Sequence, residues 1–114
     1  MRVLAALHRH TGLPVMVTET SDVTDVAGRS GWMAESTDAV IAARRAGLPV
    51  VGYTWFPVFS LVDWRWRRGP KERVSYWAHM GLWDIDETMG RSRTPLVDQY
   101  ADLVASSEDV EEVA

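Results

Sequence analysis

Two stretches of the chain are apolar almost without interruption, and each follows a helical pattern that ends in Gly. The first, residues 13–19, is short, rich in β-branched side chains and polar only at its C-terminal end. The second, residues 48–54, opens with the same Gly-Leu-Pro-Val run as the first. Such runs are typical of strands that are buried on both faces of a parallel sheet, so two buried strands are predicted.

Helical periodicity surrounds these strands. Residues 2–10 predict a helix that stops at Gly12, and residues 29–46 predict a second helix that Gly47 ends. A polar loop is expected at 20–28, and a long aromatic loop at 55–83. Thr94 and Pro95 are an N-cap and a first helical residue, and so predict a third helix.

The order of helix, strand, helix, strand, long loop and helix predicts parallel β/α units with both sheet faces covered. Two strands are too few for such a sheet, and a β/α barrel takes about 250 residues. Since the chain has 114 residues, it is interpreted as a piece of a larger architecture.

Composition narrows the function classes. The chain has no Cys, so thiolate metal sites and disulfides are excluded, and no metal or other cofactor is expected. No apolar run approaches the roughly 18–20 residues of a membrane span, so a membrane partner is not expected either. The formal net charge of −4 argues against nucleic acid. One basic run is a candidate exception that would bind nucleic acid, although a solvated loop is the favoured interpretation. The run comprises Arg65, Arg67, Arg68, Lys71 and Arg73.

Tryptophan is the unusual component. All six Trp residues lie between Trp32 and Trp83. The indole ring combines a flat apolar face with a single N–H donor. Those properties suit a sugar ring, which has an apolar C–H face and a rim of hydroxyl groups.

A series of motifs resembles the family-one glycoside hydrolases in order and spacing. Thr18-Glu19-Thr20-Ser21 stands where that family has Thr-Glu-Asn-Gly at the end of its nucleophile strand. The later matches follow in the same order along the chain: Asp25, Arg29, Trp32 and Met33; Gly52-Tyr53; Asp63-Trp64; Met80-Gly81-Leu82-Trp83-Asp84; and Arg93-Thr94-Pro95.

The resemblance implies roles for particular residues. Glu19 would be the nucleophile of a retaining β-glycosidase, forming a glycosyl-enzyme that water hydrolyses. Asp63 and Trp64 would hold the outer hydroxyls of the sugar, with Asp63 replacing the family's Glu. Phe56 falls where the family has a Trp platform, and Trp55 is expected to compensate for the N–H that Phe56 lacks.

The resemblance also identifies what is missing. The family's general acid/base lies in an Asn-Glu pair on an earlier strand, but this sequence contains no Asn. The other glutamates considered, Glu35, Glu72 and Glu87, are expected in a helix or in loops. The earlier barrel strands are therefore expected to be absent from this chain, through truncation, gene splitting or a late start codon.

Together these observations predict an α/β fold that forms the C-terminal part of a (β/α)8 TIM barrel, namely its last two β/α units. Residues 1–105 are expected to be the barrel portion and residues 106–114 an acidic, disordered tail. The expected function is hydrolysis of O-glycosidic bonds in the intact barrel, in the cytoplasm, with little activity from this chain alone. The alternative is a non-catalytic carbohydrate-binding or accessory half-barrel. The expected partners are a β-glycoside and either the missing N-terminal barrel half or further copies of this chain.

Overall fold

A computed structural model describes residues 2–108 as three helices and six strands. The helices are α1 (Arg2–Thr11), α2 (Val26–Arg45) and α3 (Leu96–Glu108). The strands are β1 (Val15–Thr20), β2 (Val50–Trp55), β3 (Leu61–Val62), β4 (Trp77–Ala78), β5 (Trp83–Ile85) and β6 (Arg91–Arg93). The order of the long elements is the predicted one.

The pair β1–β2 is parallel, as the repeated apolar runs predicted. The alignment begins at Val15 opposite Val50 and ends at Thr20 opposite Trp55. Each strand contains one extra residue, because the pairing shifts first between Val15 and Met16 and again between Val17 and Thr20. The second irregularity therefore falls beside Glu19.

Two clusters of buried side chains pack the helices against this sheet. In the first, Val15 and Val50 meet Ala43 of α2, with partly buried side chains around them. In the second, Met33 of α2, Trp55 of β2 and Leu96 of α3 pack together. Full burial of a side chain such as Met33 or Leu96 contributes roughly 1.5–3 kcal/mol, so these contacts hold α2 and α3 on one side of the sheet.

The aromatic segment that was predicted as one long loop, residues 55–83, contains a short antiparallel pair, β3–β4, and a second such pair, β5–β6, begins at its end. Between β3 and β4 the chain makes an excursion of two single-turn 3-10 helices, Trp64–Arg67 and Arg73–Tyr76. Asp63 N–H donates to the carbonyl of Tyr76 at 2.8 Å and closes its base. Residues 63–76 are called the basic excursion below.

Two helix boundaries differ from the predicted ones by three residues, whereas the other ends of the helices and of β1 and β2 differ by two or fewer. Helix α2 begins at Val26, three residues before the predicted start, because Asp25 acts as its N-cap and accepts a hydrogen bond from Gly28 N–H at 2.8 Å. Helix α3 continues to Glu108, past the expected boundary at 105. The rest of the predicted tail, residues 109–114, lies outside the described residues.

The coarse fold prediction is confirmed, since residues 2–108 form an α/β unit in which a parallel strand pair is covered by helices. Within these residues the sheets have two strands each and do not close into a barrel. Two indole N–H groups, those of Trp55 and Trp77, are buried without a hydrogen-bond acceptor in the described part of the chain.

Candidate functional site

Glu19 lies at the C-terminal end of β1 and is exposed to solvent. The register irregularity between Val17 and Thr20 surrounds it. A bulge of this kind bends a strand and redirects a side chain, and bulges are common next to active sites. The position is one from which a carboxylate can reach a ligand above the strand ends, where β/α barrels bind their substrates.

The two residues after Glu19 anchor this strand end to three other parts of the molecule. Thr20 accepts a hydrogen bond from Trp32 Nε1 at 2.9 Å, and its carbonyl accepts one from Phe56 N–H at 3.1 Å. Ser21 Oγ donates to the carbonyl of Met80. These contacts hold the segment in which Thr20 and Ser21 replace the Asn-Gly of the family motif.

The neighbouring residues Trp55 and Phe56 have opposite environments. Phe56 is exposed, and its backbone bond to Thr20 brings it to the same end of the sheet as Glu19. Trp55 is 5% exposed and packs between Met33 and Leu96. This corrects the expectation that Trp55 supplements Phe56 in the sugar site, because its ring is part of the hydrophobic core.

Asp63 and Trp64 lie at the base of the basic excursion. The Asp63 carboxylate accepts from Arg65 N–H at 2.8 Å and from Arg65 Nη2 at 2.7 Å, and these bonds hold the pKa of Asp63 below its usual range. Trp64 is 78% exposed. Across residues 2–108, the hydrogen bonds and ion pairs of Asp63 and Trp64 connect them to the excursion and not to Glu19.

A second polar cluster received no role from the sequence. Arg29 of α2 is 1% exposed; it donates to Asp84 Oδ1 at 2.8 Å, to Asp84 Oδ2 at 3.1 Å and to the carbonyl of Gly81 at 2.7 Å. His79 Nδ1 lies 2.9 Å from Ser60 Oγ and 3.5 Å from Asp84 Oδ1. Arg29 and Asp84 were visible in the motif series, whereas the contact between His79 and Ser60 depends on tertiary packing.

This cluster contains Ser, His and Asp but is not arranged for nucleophilic catalysis. In a triad the Ser and the Asp contact different nitrogens of the imidazole, so that a proton can pass through the ring. Here the Ser60 hydroxyl and the Asp84 carboxylate both lie against Nδ1. Ser60 is also buried, so its hydroxyl is not accessible to a substrate. Ser60 Oγ also accepts from Ile85 N–H at 3.1 Å, so the cluster fixes β5 to the rest of the fold.

Two open clefts lie beside this cluster. One, of about 490 Å³, is lined by the loop after β1 and by Arg29, Trp77, His79 and Asp84. The other, of about 390 Å³, shares Trp77, His79 and Asp84 and extends to β6. The linings of these two clefts include neither Glu19 nor Asp63, so the proposed sugar contacts do not share an enclosed cavity with them.

With this geometry established, comparison with known proteins identifies the class. No protein-family model matches the chain. A solved β-glucosidase, designated 1317, superposes with a TM-score of 0.72 and 28% identity, covering 90% of this chain and 24% of the enzyme. The family-one β-glucosidase of Exiguobacterium antarcticum B7 gives a TM-score of 0.71 at 18% identity, over 95% of this chain and 25% of the enzyme.

The fold is thus that of a portion of a β-glucosidase barrel, and the resemblance to the family-one glycoside hydrolases is confirmed. Among characterised proteins, the chain is also similar to the chloroplastic galactolipid galactosyltransferase of Arabidopsis thaliana. The identity is 34% over 98 residues, which cover 82% of this chain but 14% of that protein. The chain therefore spans a small part of each relative that it matches. Within residues 2–108, no helix is both long enough and apolar enough to cross a membrane.

Proposed function

We propose that this chain supplies the nucleophile-bearing part of a retaining β-glycosidase, with Glu19 as the nucleophile. The observation that carries the proposal is the position of Glu19 at the end of β1, where a register irregularity and the anchored Thr20 hold an exposed carboxylate. It is supported by the similarity of this unit to β-glucosidases.

The chemistry is a double displacement at the anomeric carbon. A Glu19 carboxylate oxygen attacks that carbon as the glycosidic C–O bond breaks, and a general acid protonates the departing oxygen. Water, activated by the same group acting as a base, then displaces Glu19. The two carboxyl groups of a retaining enzyme are about 5–5.5 Å apart.

The second carboxyl group is proposed to come from outside the described residues. Glu35 lies on α2, Glu72 caps the second 3-10 helix of the basic excursion, and Glu87 lies in the turn after β5. None of them ends a strand beside β1. The proposed arrangement is therefore a barrel in which this chain forms the last two β/α units, and other β/α units, from a longer chain or an associated one, provide the acid/base.

Phe56, Asp63 and Trp64 are proposed to bind the sugar. Phe56 is exposed at the strand end next to Thr20 and offers an apolar face. Trp64 offers a second, more exposed one. The lone pairs of Asp63 that Arg65 leaves free remain available to sugar hydroxyls.

A complementation experiment tests the assignment of Glu19. The chain is combined with a β-glucosidase barrel from which the matching portion has been deleted, and aryl β-glycoside hydrolysis is measured. We expect no enzymatic turnover from the chain alone, because general acid catalysis typically contributes about 10²–10⁴-fold. We expect activity in the complex that Glu19→Gln abolishes and the matched variant Glu35→Gln leaves intact.

Azide provides the decisive control. In a complex carrying Glu19→Gly, azide should replace the missing nucleophile and yield a glycosyl azide of inverted configuration. Rescue would identify Glu19 as the group that attacks the anomeric carbon. Full activity of the Glu19→Gln complex, or rescue of Glu35→Gly instead, would refute the assignment.

The name of the Arabidopsis relative favours one further outcome, glycosyl transfer. A glycosyl-enzyme on Glu19 can be discharged by a sugar hydroxyl in place of water, with the same nucleophile and the same acid/base. Product analysis of the active complex with a galactolipid acceptor distinguishes the two. Transfer products would indicate a transferase, and free sugar alone would indicate a hydrolase.

The second candidate function is a non-catalytic carbohydrate-binding half-barrel. It is favoured by the exposed Trp64 together with the lack of a carboxylate at the end of β2, the strand that pairs with β1 in the described residues. Saccharide binding by the chain, without activity in the complemented barrel, would support this alternative.

A further inference from the structure

The basic excursion concentrates positive charge in an acidic protein. Residues 64–73 contain five of the chain's 12 Lys and Arg residues but one of its 16 acidic residues. All five basic side chains are exposed. The rest of the chain is consequently far more acidic than the net charge of −4 suggests.

Most of this charge is not balanced by a carboxylate. Arg65 is neutralised by Asp63 at 2.7 Å. The ion pairs found in residues 2–108 involve none of the other four cations, which are Arg67, Arg68, Lys71 and Arg73. Four like charges within seven residues repel one another, and an anionic ligand would relieve the repulsion.

Two of these cations are arranged together with aromatic rings. The Arg67 guanidinium lies 5.3 Å from the centre of the Trp64 ring, and that of Arg73 lies 5.9 Å from the Trp66 ring. Cation–π contacts of this kind restrain the guanidinium without neutralising it. Because Trp64 is 78% exposed, much of its ring surface remains free for a ligand.

We propose that the basic excursion binds an acidic oligosaccharide, with anionic groups on successive sugars. Trp64 would pack against a sugar ring, and Arg67 and Arg68 would donate charge-assisted hydrogen bonds to carboxylate or sulfate oxygens. The inference deepens the proposed function, since it rests on Asp63 and Trp64 being sugar contacts, and it specifies the class of saccharide. Four unbalanced cations along ten residues suit a ligand with several charges better than one with a single charge.

A short saccharide fits this surface better than a long nucleic acid or an anionic membrane does. Either of those would extend beyond the excursion and meet the acidic remainder of the chain, which would repel it. A tetrasaccharide can stay within the basic surface.

Calorimetric titration of the full chain tests the proposal. The anionic probes are a heparin-derived tetrasaccharide, which carries sulfates and carboxylates, and tetragalacturonate, which carries carboxylates alone. Cellotetraose is the neutral control, and a dT 12-mer and phosphatidylglycerol vesicles are the competing polyanions. The test variant is Arg67→Gln/Arg68→Gln, matched by Arg44→Gln/Arg45→Gln on exposed positions of α2.

We expect at least one anionic tetrasaccharide to bind more tightly than cellotetraose. The excursion variant should lose about tenfold in affinity, and the α2 variant less than about twofold. Trp64→Ala should also weaken binding of that tetrasaccharide. Equal losses in the two arginine variants, or equally tight binding to the dT 12-mer or to vesicles, would overturn the proposal.

The two proposals can fail separately. Azide rescue of the complemented barrel reports on Glu19, whereas calorimetry with the arginine variants reports on the excursion. Absence of azide rescue together with intact tetrasaccharide binding would refute Glu19 as the nucleophile and leave the proposed ligand class unaffected. Azide rescue without binding of either anionic tetrasaccharide would refute the proposed ligand class and leave Glu19 as the nucleophile.

Discussion

The end of β1 and the basic excursion both carry residues of the candidate sugar site, but they are held in place in different ways. The segment that follows Glu19 is tied to α2, to the end of β2 and to the loop before β5, by contacts between residues distant in sequence. The excursion is closed mainly by contacts among residues 63–76. The first geometry therefore depends on tertiary packing, and the second is largely local.

This difference has a practical consequence for mutagenesis. Substitutions in the buried cluster that unites α2 with β5 should disturb the whole unit, including the strand end. Substitutions inside the excursion should change its own shape and charge while the β1–β2 sheet stays folded. Four sets of substitutions can test that separation.

Arg29→Met should have the largest effect on stability. Removing the guanidinium leaves the Asp84 carboxylate and the Gly81 carbonyl without their buried donor. Breaking such a pair costs about 3 kcal/mol. Urea denaturation, monitored by Trp fluorescence, measures this loss in the free energy of unfolding, and Arg44→Met is the exposed control. A loss below about 1 kcal/mol would mean that the cluster does not hold the fold together.

Gly69→Ala should distort the excursion. A Cβ at Gly69 would overlap the Tyr76 hydroxyl and lie 3.1 Å from the carbonyl oxygen of Arg65, so the Tyr76 ring must move. The expected cost is about 1 kcal/mol, because the overlapped atoms are the far end of the Tyr76 side chain, which can move aside. Gly31→Ala is the control, because a Cβ there meets nothing within 4 Å and Ala favours α2 by about 1 kcal/mol. In thermal denaturation, Gly69→Ala should lower the midpoint temperature and Gly31→Ala should raise it. An unchanged midpoint for Gly69→Ala would contradict the close packing.

Trp32→Phe and Thr20→Val should be coupled. Each removes one partner of the 2.9 Å hydrogen bond that anchors the strand end after Glu19. A double-mutant cycle should give a coupling of about 1 kcal/mol. Thr18→Val, one residue before Glu19, is the matched control. Additive effects of Trp32→Phe and Thr20→Val would indicate that this bond does not restrain the strand end.

The smallest effect concerns the pKa of Asp63. The hydrogen bonds from Arg65 lower it below 3.8, so the ion pair favours the folded excursion above that pH and is lost as pH falls through the lowered pKa. Arg65→Gln should raise the pKa of Asp63 towards 3.8 in an NMR titration. Asp86 is the internal control, since its pKa is lowered by Thr88 and Gly90. An unchanged Asp63 titration would exclude Arg65 as the cause.

Much of the fold was predictable because the long elements have strong local patterns. The two apolar runs predicted the parallel pair, and Thr94 predicted the start of α3: its hydroxyl accepts from Leu96 N–H at 3.2 Å. The start of α2 was misplaced because the N-cap at Asp25 precedes a helix whose first turn has little apolar periodicity. The short strands β3 to β6 consist of two or three residues each, too few for a periodic signal.

The candidate site was predictable only in part. Glu19 was identified through the resemblance of Thr18-Glu19 to the nucleophile motif of the family, because a lone Glu at the end of an apolar run is a weak signal; it is exposed, and its role stays a prediction. The burial of Trp55 agrees with strand alternation, since consecutive residues face opposite ways and Phe56 is exposed; the expectation that Trp55 compensates for Phe56 went against that rule. The cluster of Arg29, Asp84, His79 and Ser60 joins residues up to 55 positions apart, and hydrophobic periodicity, which is local, cannot predict that they meet.

The buried indole N–H of Trp55 offers a spectroscopic probe of assembly. In residues 2–108 this group has no acceptor, although burying an unpaired donor is costly. A carbonyl delivered by additional barrel elements, or by a rearrangement that they induce, would satisfy it. Hydrogen bonding moves an indole proton downfield in an NMR spectrum, so the Trp55 resonance would register completion of the barrel before any substrate is added.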